Sequence, residues 1–402
     1  ALERLVSDLG VSPLDRSKPL WDIYLVEGYR GGMAMISRIH HCIADGIALA
    51  GVLLSLTDSG PQEWAAAQGG DAHRRDAHAN DPAPGAAAST IDRAFSALLA
   101  PARGTLASVA DAANATRRLT GALARESAHT LTHPRRVLEL SDTLSADTRA
   151  AAKLLSTPKD ARSPLKRDLS TQRQVAWSRP LSLARVKTIA HAQDATVNDV
   201  LLAAVSGALR AYLLERGEQP QALRTLVPVN LRPLDRPVPD ELGNRFGLVF
   251  LTLPVDCASR RERLRELKAR MDAIKHSSEG PVSYAMLEAA GLAPVEIERR
   301  IIDFFTAKAS AVMTNVPGPR ETVYLAGCPL RTVLIWAPTA GSVGMSVSIF
   351  SYDGNITIGL LVHSVLVPNP EAIVDRVRSE IAALARLAPA ASRTGETQRS
   401  GA

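Results

Sequence analysis

The stretch Ile39-His40-His41-Cys42-Ile43-Ala44-Asp45-Gly46 gathers two imidazoles, a thiol, a carboxylate and a glycine. Imidazole is the side chain best suited to taking a proton near neutral pH, so the pair suits general-base chemistry. An apolar run, Met33-Ala34-Met35-Ile36, precedes the motif, and another, Ile47 to Leu56, follows it. The first run reads as a strand. The second has helical length, with no Gly or Pro between Val52 and Leu56. Hydrophobic segments on both sides place such a base inside the protein, at the end of a channel.

Neighbouring residues of an extended chain point in opposite directions, so His40 and His41 are expected to do different jobs. One faces the channel and the other packs inward. Asp45 has two open roles. It can orient an imidazole, or it can anchor the loop by capping the helix or pairing with an arginine such as Arg16, Arg38 or Arg232. Gly46 suggests a backbone angle or a close approach that a side chain would block. The competing explanation is a pair of satisfied core histidines beside a helix cap. His-His followed at fixed distance by Asp-Gly favours chemistry. Asp22 and Glu27 are the only other acids nearby in sequence, too few for a metal site. A Cys42 nucleophile is disfavoured because its side chain diverges from that of His41.

The chain has 402 residues, long for one compact domain and comfortable for two. It is 46% hydrophobic and 22% charged, as in a soluble globular protein. No window of about 18 uninterrupted apolar residues suggests a transmembrane helix, and no secretory signal is visible. The three cysteines, Cys42, Cys257 and Cys328, lack metal-type spacing and fit a reduced, intracellular compartment. Net charge is +6, but the positives are dispersed in pairs such as Arg117-Arg118 and Arg135-Arg136. Without a Lys/Arg-rich run interleaved with aromatics, nucleic acid is not an expected partner.

Residues 59–90 are rich in Ala, Gly, Asp, His and Pro and predict a mobile surface loop. Residues 91–140 return to Ala/Leu-rich helical periodicity. Basic helical stretches around Arg117–Arg136 offer one apolar face with arginines beside it, which suits either an ordinary surface helix packed on the domain or an interfacial membrane contact. Scattered Pro, Lys, Arg and Ser mark a crossover linker over 156–171. It divides an N-terminal domain, 1–155, from a C-terminal domain, 172–390, with a disordered tail over 391–402.

In the second half, Thr196 predicts a helix cap to which Asp199 reaches back, and Gly217 predicts the stop. Strands are predicted at Arg224–Asn230, Phe246–Val255, Ser310–Val316, Thr322–Leu325, Arg331–Trp336, Met345–Ser351 and Ile356–His363. Asp353-Gly354 predicts a tight turn between the last two. A final amphipathic helix is predicted from Pro370 to Leu387.

The pattern His40-His41-x-x-x-Asp45-Gly46 resembles the HHxxxDG signature of CoA-dependent acyltransferases, which also occurs in condensation domains of peptide synthetases. Pro19-Leu20-Trp21 looks like the PLW motif of the bacterial wax ester synthase/diacylglycerol acyltransferase family. Asn198-Asp199 looks like its ND motif, and Thr314-Asn315-Val316-Pro317-Gly318-Pro319 is similar to a further family segment. The resemblance covers nearly the whole chain. One departure is the short stretch before PLW. Members usually carry more there, which implies a missing strand and helix, with a separate N-terminal fragment as one source.

The resemblance implies an α/β fold: two chloramphenicol-acetyltransferase-like domains with mixed sheets flanked by helices, and an active-site channel between them. It implies His41 as general base toward a diacylglycerol or long-chain alcohol, with acyl-CoA as a substrate and no cofactor. Asp45 would then hold the loop. Asn198 and Asp199 would support the site. Asn315 is either a donor to the developing oxyanion or a strand-end turn residue. A cytoplasmic protein, peripherally associated with membrane or lipid bodies, follows from such substrates. Two alternatives stay open: a condensation-type enzyme fed by a carrier protein, and a silent lipid-binding protein of the same fold.

Overall fold

The computed structural model describes residues 1–60, 146–232, 243–292 and 294–387. The surface loop expected over 59–90, from residue 61 onward, lies outside the described residues. So do the helices expected over 91–140, with the Arg117–Arg136 stretch, and the tail over 391–402.

The first half supplies α1 (Leu2–Val11), β1 (Trp21–Tyr29), β2 (Gly32–Ile39) and α2 (Gly46–Ser55), then α3 (Ala146–Ser156). β1 and β2 pair antiparallel, from Trp21 opposite Ile39 to Tyr29 opposite Gly32. Arg30 and Gly31 take positive φ at the tip, as a tight hairpin requires. One face of this ribbon, including Trp21, Ile23, Leu25, Met33 and Met35, is exposed.

The second half supplies β3 (Arg173–Trp177), β4 (Leu181–Ser182), α4 (Leu183–Ala192), α5 (Val197–Glu215), β5 (Leu223–Asn230) and β6 (Phe246–Leu253). Next come α6 (Arg260–Lys275), α7 (Glu279–Gly291), α8 (Val295–Thr306), β7 (Ala311–Pro317), β8 (Tyr324–Leu325) and β9 (Cys328–Pro329). β10 (Met345–Tyr352), β11 (Asn355–His363) and α9 (Glu371–Leu387) complete it. Seven strands form one mixed sheet, ordered β3-β11-β10-β7-β5-β6 with β4 beside β11. β7 runs parallel to both β10 and β5; the other pairs are antiparallel.

Alternation along the strands divides their side chains between two layers. Ala311, Met313, Val347, Ile349, Ile358 and Leu360 join the main core with buried residues of α4, α5, α6 and α9. Leu226 and Val312 belong to a second cluster with Leu248 and Phe250, while Val316 and Phe350 meet Ala50 of α2. α5 is long and apolar enough to cross a membrane, but most of its apolar window is buried within this protein. It is the central helix of the core.

Local signals set the ends of α5. Thr196 accepts from the Asp199 N–H, and the Asp199 carboxylate accepts from the Thr196 N–H, closing a capping box. Gly217 has φ +72°, and the N–H groups of Gly217 and Glu218 return to Leu214 and Leu213. This arrangement ends the helix as a left-handed glycine stop.

The strand expected at Arg331–Trp336 is absent; that segment is irregular. Its apolar alternation is satisfied by packing. Val333 and Ile335 join the cluster around Phe350, while Leu334 and Trp336 lie against Gly359.

The segment over 156–171 is irregular after α3, but it is pinned. Lys166 is buried, and its ammonium donates to the Thr306, Ala309 and Ser342 carbonyls. Elements of the first half pack on the second. Ser7 of α1 accepts from the Val175 N–H at 3.0 Å, and α3 shares a core cluster with Val282 of α7.

Candidate active site

The histidine loop begins where β2 ends. Leu20 accepts from the His40 N–H at 2.9 Å, and Trp21 is the last register partner of Ile39. Pro19-Leu20-Trp21 therefore opens β1 and pins the loop backbone at the same place. Both histidines lie past the end of β2, where strand alternation no longer applies, and they differ in burial. His40 is exposed, and its Nδ1 accepts from the Cys42 N–H at 3.2 Å. A neutral His40 accepting at Nδ1 carries its proton on Nε2.

His41 is half-buried and meets the second half of the chain. Its ring stands edge-on to Phe246, with centroids 5.9 Å apart and planes at 69°. Its carbonyl accepts from Asn244 Nδ2 at 3.2 Å. Phe246 opens β6, so the sheet itself fixes the position of the ring's neighbour.

Asp45 is 5% exposed and has both oxygens occupied. Oδ1 accepts from the Ala48 N–H at 3.0 Å, capping α2. Oδ2 accepts from Arg232 at 2.8 Å and from the Arg245 N–H at 3.0 Å. Of the three arginines considered, Arg232 is the partner, while Arg38 binds Asp22 and the Ser12 carbonyl. Burial acts to raise the Asp45 carboxyl. The Ala48 and Arg245 N–H groups and the Arg232 guanidinium outweigh it and hold the carboxyl below its ordinary value. Asp45 is thus the joint between the histidine loop and the second half.

Gly46 corrects an expectation. It is the first residue of α2, its φ is not positive, and a Cβ built there has no neighbour within 4 Å. Neither a special backbone angle nor a close approach in the described protein explains it. Among the described residues, the space in front of it is open.

The second-half motifs form a separate pair of contacts. Asn315 Nδ2 donates to Asn198 Oδ1 at 2.8 Å. Asn315 lies inside β7 opposite Ile349, so it is not a turn residue. Asp199 is fully buried and spends one oxygen on the cap, leaving Oδ1 without a partner among the described residues.

Sequence reasoning did not single out Asn244 or Phe246. They lie about 200 positions from the histidines, and no local signal joins them to that loop. Phe246 stood only as the first residue of a predicted strand.

The fold and this site define a class. Residues 1–201 match the wax ester synthase/diacylglycerol acyltransferase catalytic domain, and residues 242–385 match the C-terminal domain of the same family. The chain belongs to the wax ester synthase/diacylglycerol acyltransferase family and is an acyltransferase.

A relative from Mycobacterium tuberculosis (strain ATCC 25618 / H37Rv), carrying the name diacylglycerol O-acyltransferase, is 27% identical over 100% of this chain and 78% of its own length. A second protein of that name and strain is 28% identical over 94% of this chain and 70% of its own. The solved wax ester synthase/diacylglycerol acyltransferase from Marinobacter aquaeolei VT8 shares the fold, with a TM-score of 0.58 at 20% identity. That match covers 96% of this chain and 76% of the other.

Proposed function

We propose that this acyltransferase moves a fatty acyl group from acyl-CoA to the hydroxyl of a diacylglycerol or a long-chain alcohol, with His41 as general base. The supporting observation is the loop geometry. His41 sits half-buried against Phe246, while Asp45 is fully engaged in holding the loop. A structurally committed aspartate leaves the imidazole as the group that handles the proton.

The chemistry balances without a covalent enzyme intermediate. His41 removes the hydroxyl proton as that oxygen bonds to the thioester carbonyl carbon. The tetrahedral oxyanion collapses, the carbon–sulfur bond breaks, and the proton passes from the imidazolium to the departing thiolate. Asn198 steadies the Asn315 amide, whose second N–H serves the oxyanion. Insoluble substrates place this chemistry at a membrane or lipid-body surface, with the protein attached peripherally.

Labelled acyl-CoA offered with a panel of diacylglycerol, fatty alcohol and sterol-like acceptors tests the reading, with the lipid products separated and identified. A triacylglycerol or wax ester product is expected. His41→Ala should lower turnover by roughly 100- to 10,000-fold with the fold retained. Full activity in His41→Ala together with none in His40→Ala would assign the base to the wrong histidine. Turnover only with a carrier-protein-bound acyl donor would replace acyl-CoA as substrate.

A further inference from the structure

On the strand layer that carries Phe350, a group of buried polar atoms has no partner among the described residues. Ser346 and Ser348 of β10 are 0% and 2% exposed, and neither hydroxyl is hydrogen-bonded. They alternate with Met345, Val347 and Ile349, which enter the main core, so both hydroxyls project to the opposite layer. Ser348 stands between Thr314 of β7 and Gly359 of β11. A Cβ at Gly359 would lie 2.7 Å from Ser348 Oγ and 2.8 Å from Trp336 Nε1, so both groups border the space that the missing side chain leaves. The Trp336 indole N–H also lacks a partner, and so does Thr339 Oγ1 three residues on.

Buried polar groups in folded proteins are nearly always satisfied, because an unmet donor or acceptor carries its full desolvation penalty. The other unpartnered side-chain atoms are dispersed over β2, the C-cap of α4, and α5, α6 and α7. Here Ser348 and Trp336 share one spot, with Ser346 two residues away on the same strand face. That face is also the one against which α2 packs, since Ala50 of α2 clusters with Phe350, two residues beyond Ser348. The helix capped by Asp45 therefore rests on the same layer.

We propose that Ser346, Ser348 and the Trp336 indole form a binding site for an uncharged oxygen of the lipid substrates, an ester or thioester carbonyl or a hydroxyl. The chemistry of the donors sets the class. An indole N–H only donates, and a serine hydroxyl donates or accepts. No charged side chain belongs to the set, so it suits a neutral oxygen and not a phosphate or carboxylate. The identity of that oxygen rests on the acyltransferase reading; the existence of the site does not.

Equilibrium dialysis of the whole chain separates the two sources. Labelled acyl-CoA is presented without acceptor, and labelled diacylglycerol in mixed micelles without donor. The probes are Ser346→Ala, Ser348→Ala and Trp336→Phe. Each serine variant should keep or raise the melting temperature, because an orphaned hydroxyl is removed. Affinity for one ligand should fall by at least about fivefold, as for a lost neutral hydrogen bond, with the other within twofold. Loss for acyl-CoA alone assigns the site to the thioester carbonyl. Loss for diacylglycerol alone assigns it to the acceptor. Unchanged affinity for both ligands, or an equal loss for both, overturns the proposal. A wild-type chain that binds lipid but transfers no acyl group would sink the functional reading and leave this test intact.

Discussion

Asp45 and Gly46 are adjacent, and the structure gives them opposite characters. The Asp45 carboxylate is buried and holds Arg232, the Arg245 N–H and the α2 cap at once. Its folded carboxyl titrates below the ordinary 3.8. Ionised Asp45 therefore stabilises the fold above the unfolded value, and that contribution is lost as pH falls through the folded value. Asp45→Asn leaves Arg232 as a buried charge without its counter-ion and should cost roughly 3 kcal/mol. Activity should fall in step with the melting temperature, while the pH–rate profile keeps its shape. A stable Asp45→Asn protein with only a shifted profile would make Asp45 a partner of the base.

Gly46 meets no neighbour among the described residues, so Gly46→Ala should change stability by less than about 1 kcal/mol, the scale of the helix preference between the two residues. A large rise in KM without loss of stability would show that substrate occupies the space beside Gly46; an unchanged KM would show that it does not. The motif was legible in the sequence because its residues are contiguous. The pairing with Arg232 was legible only as one of three arginines, since nothing local chooses among Arg16, Arg38 and Arg232. Asn244 and Phe246 were invisible as site residues, because only the assembled sheet edge brings them to the loop.

At the scale of elements, local chemistry was read well and pairing less well. The Thr196–Asp199 cap, the Gly217 stop and the Asp353-Gly354 turn each depend on a few neighbouring residues. The Arg331–Trp336 segment has strand-like alternation, but whether such a run becomes a strand depends on a ladder partner elsewhere.

Two lysines show a further feature that sequence does not reveal. Lys308 donates to the Leu154 and Leu155 carbonyls at the end of α3 and lies 3.6 Å over the Phe304 ring centroid. Lys166 serves the Thr306 carbonyl at the end of α8 in the same way. Cations are favoured at helix C-termini, yet burial pushes both amines down from 10.5 to about 8. Between about 8 and 10.5 the unfolded chain holds more protons at these positions, so their contribution to stability rises with pH over that window. Urea midpoints measured from pH 7.5 to 10 should show this slope, and Lys166→Met and Lys308→Met should each flatten it. At pH 7, Lys308→Met should also cost about 1–3 kcal/mol, because a buried and a partly buried carbonyl lose their donor. A slope identical in all three proteins would remove both lysines as its source.

Close packing between elements gives a second test. A Cβ at Gly207 of α5 would overlap Glu380 Oε2 and lie 2.7 Å from an Arg263 nitrogen. Glu380 of α9 and Arg263 of α6 form a buried ion pair at 2.8 Å, so three helices meet at that glycine. Gly207→Ala should force the pair apart and cost about 1–3 kcal/mol as an overpacked site. A melting temperature equal to wild type would mean that the helices slide without strain.

For the whole molecule, the contacts between the two halves decide how it unfolds. α1 is bonded to β3 through Ser7 and Val175, and α2 packs on Val316 and Phe350. Asp58 exchanges backbone hydrogen bonds with Tyr324 at 2.7 and 2.8 Å. The Asp45–Arg232 pair closes the same seam with side chains 7% and 8% exposed. The β1–β2 ribbon leaves one apolar face uncovered by the described residues, and a two-stranded ribbon alone is marginally stable. An element held mainly by contacts with its neighbour melts with that neighbour. Calorimetry of the whole chain should therefore show one transition, with equal calorimetric and van't Hoff enthalpies. Arg232→Met should move that single transition to lower temperature without splitting it, and acyl-transfer activity should be lost over the same temperature range. Two resolved transitions in the wild-type chain, with activity lost in the first, would show that residues 1–155 fold as an independent unit and that the seam contributes little to their stability.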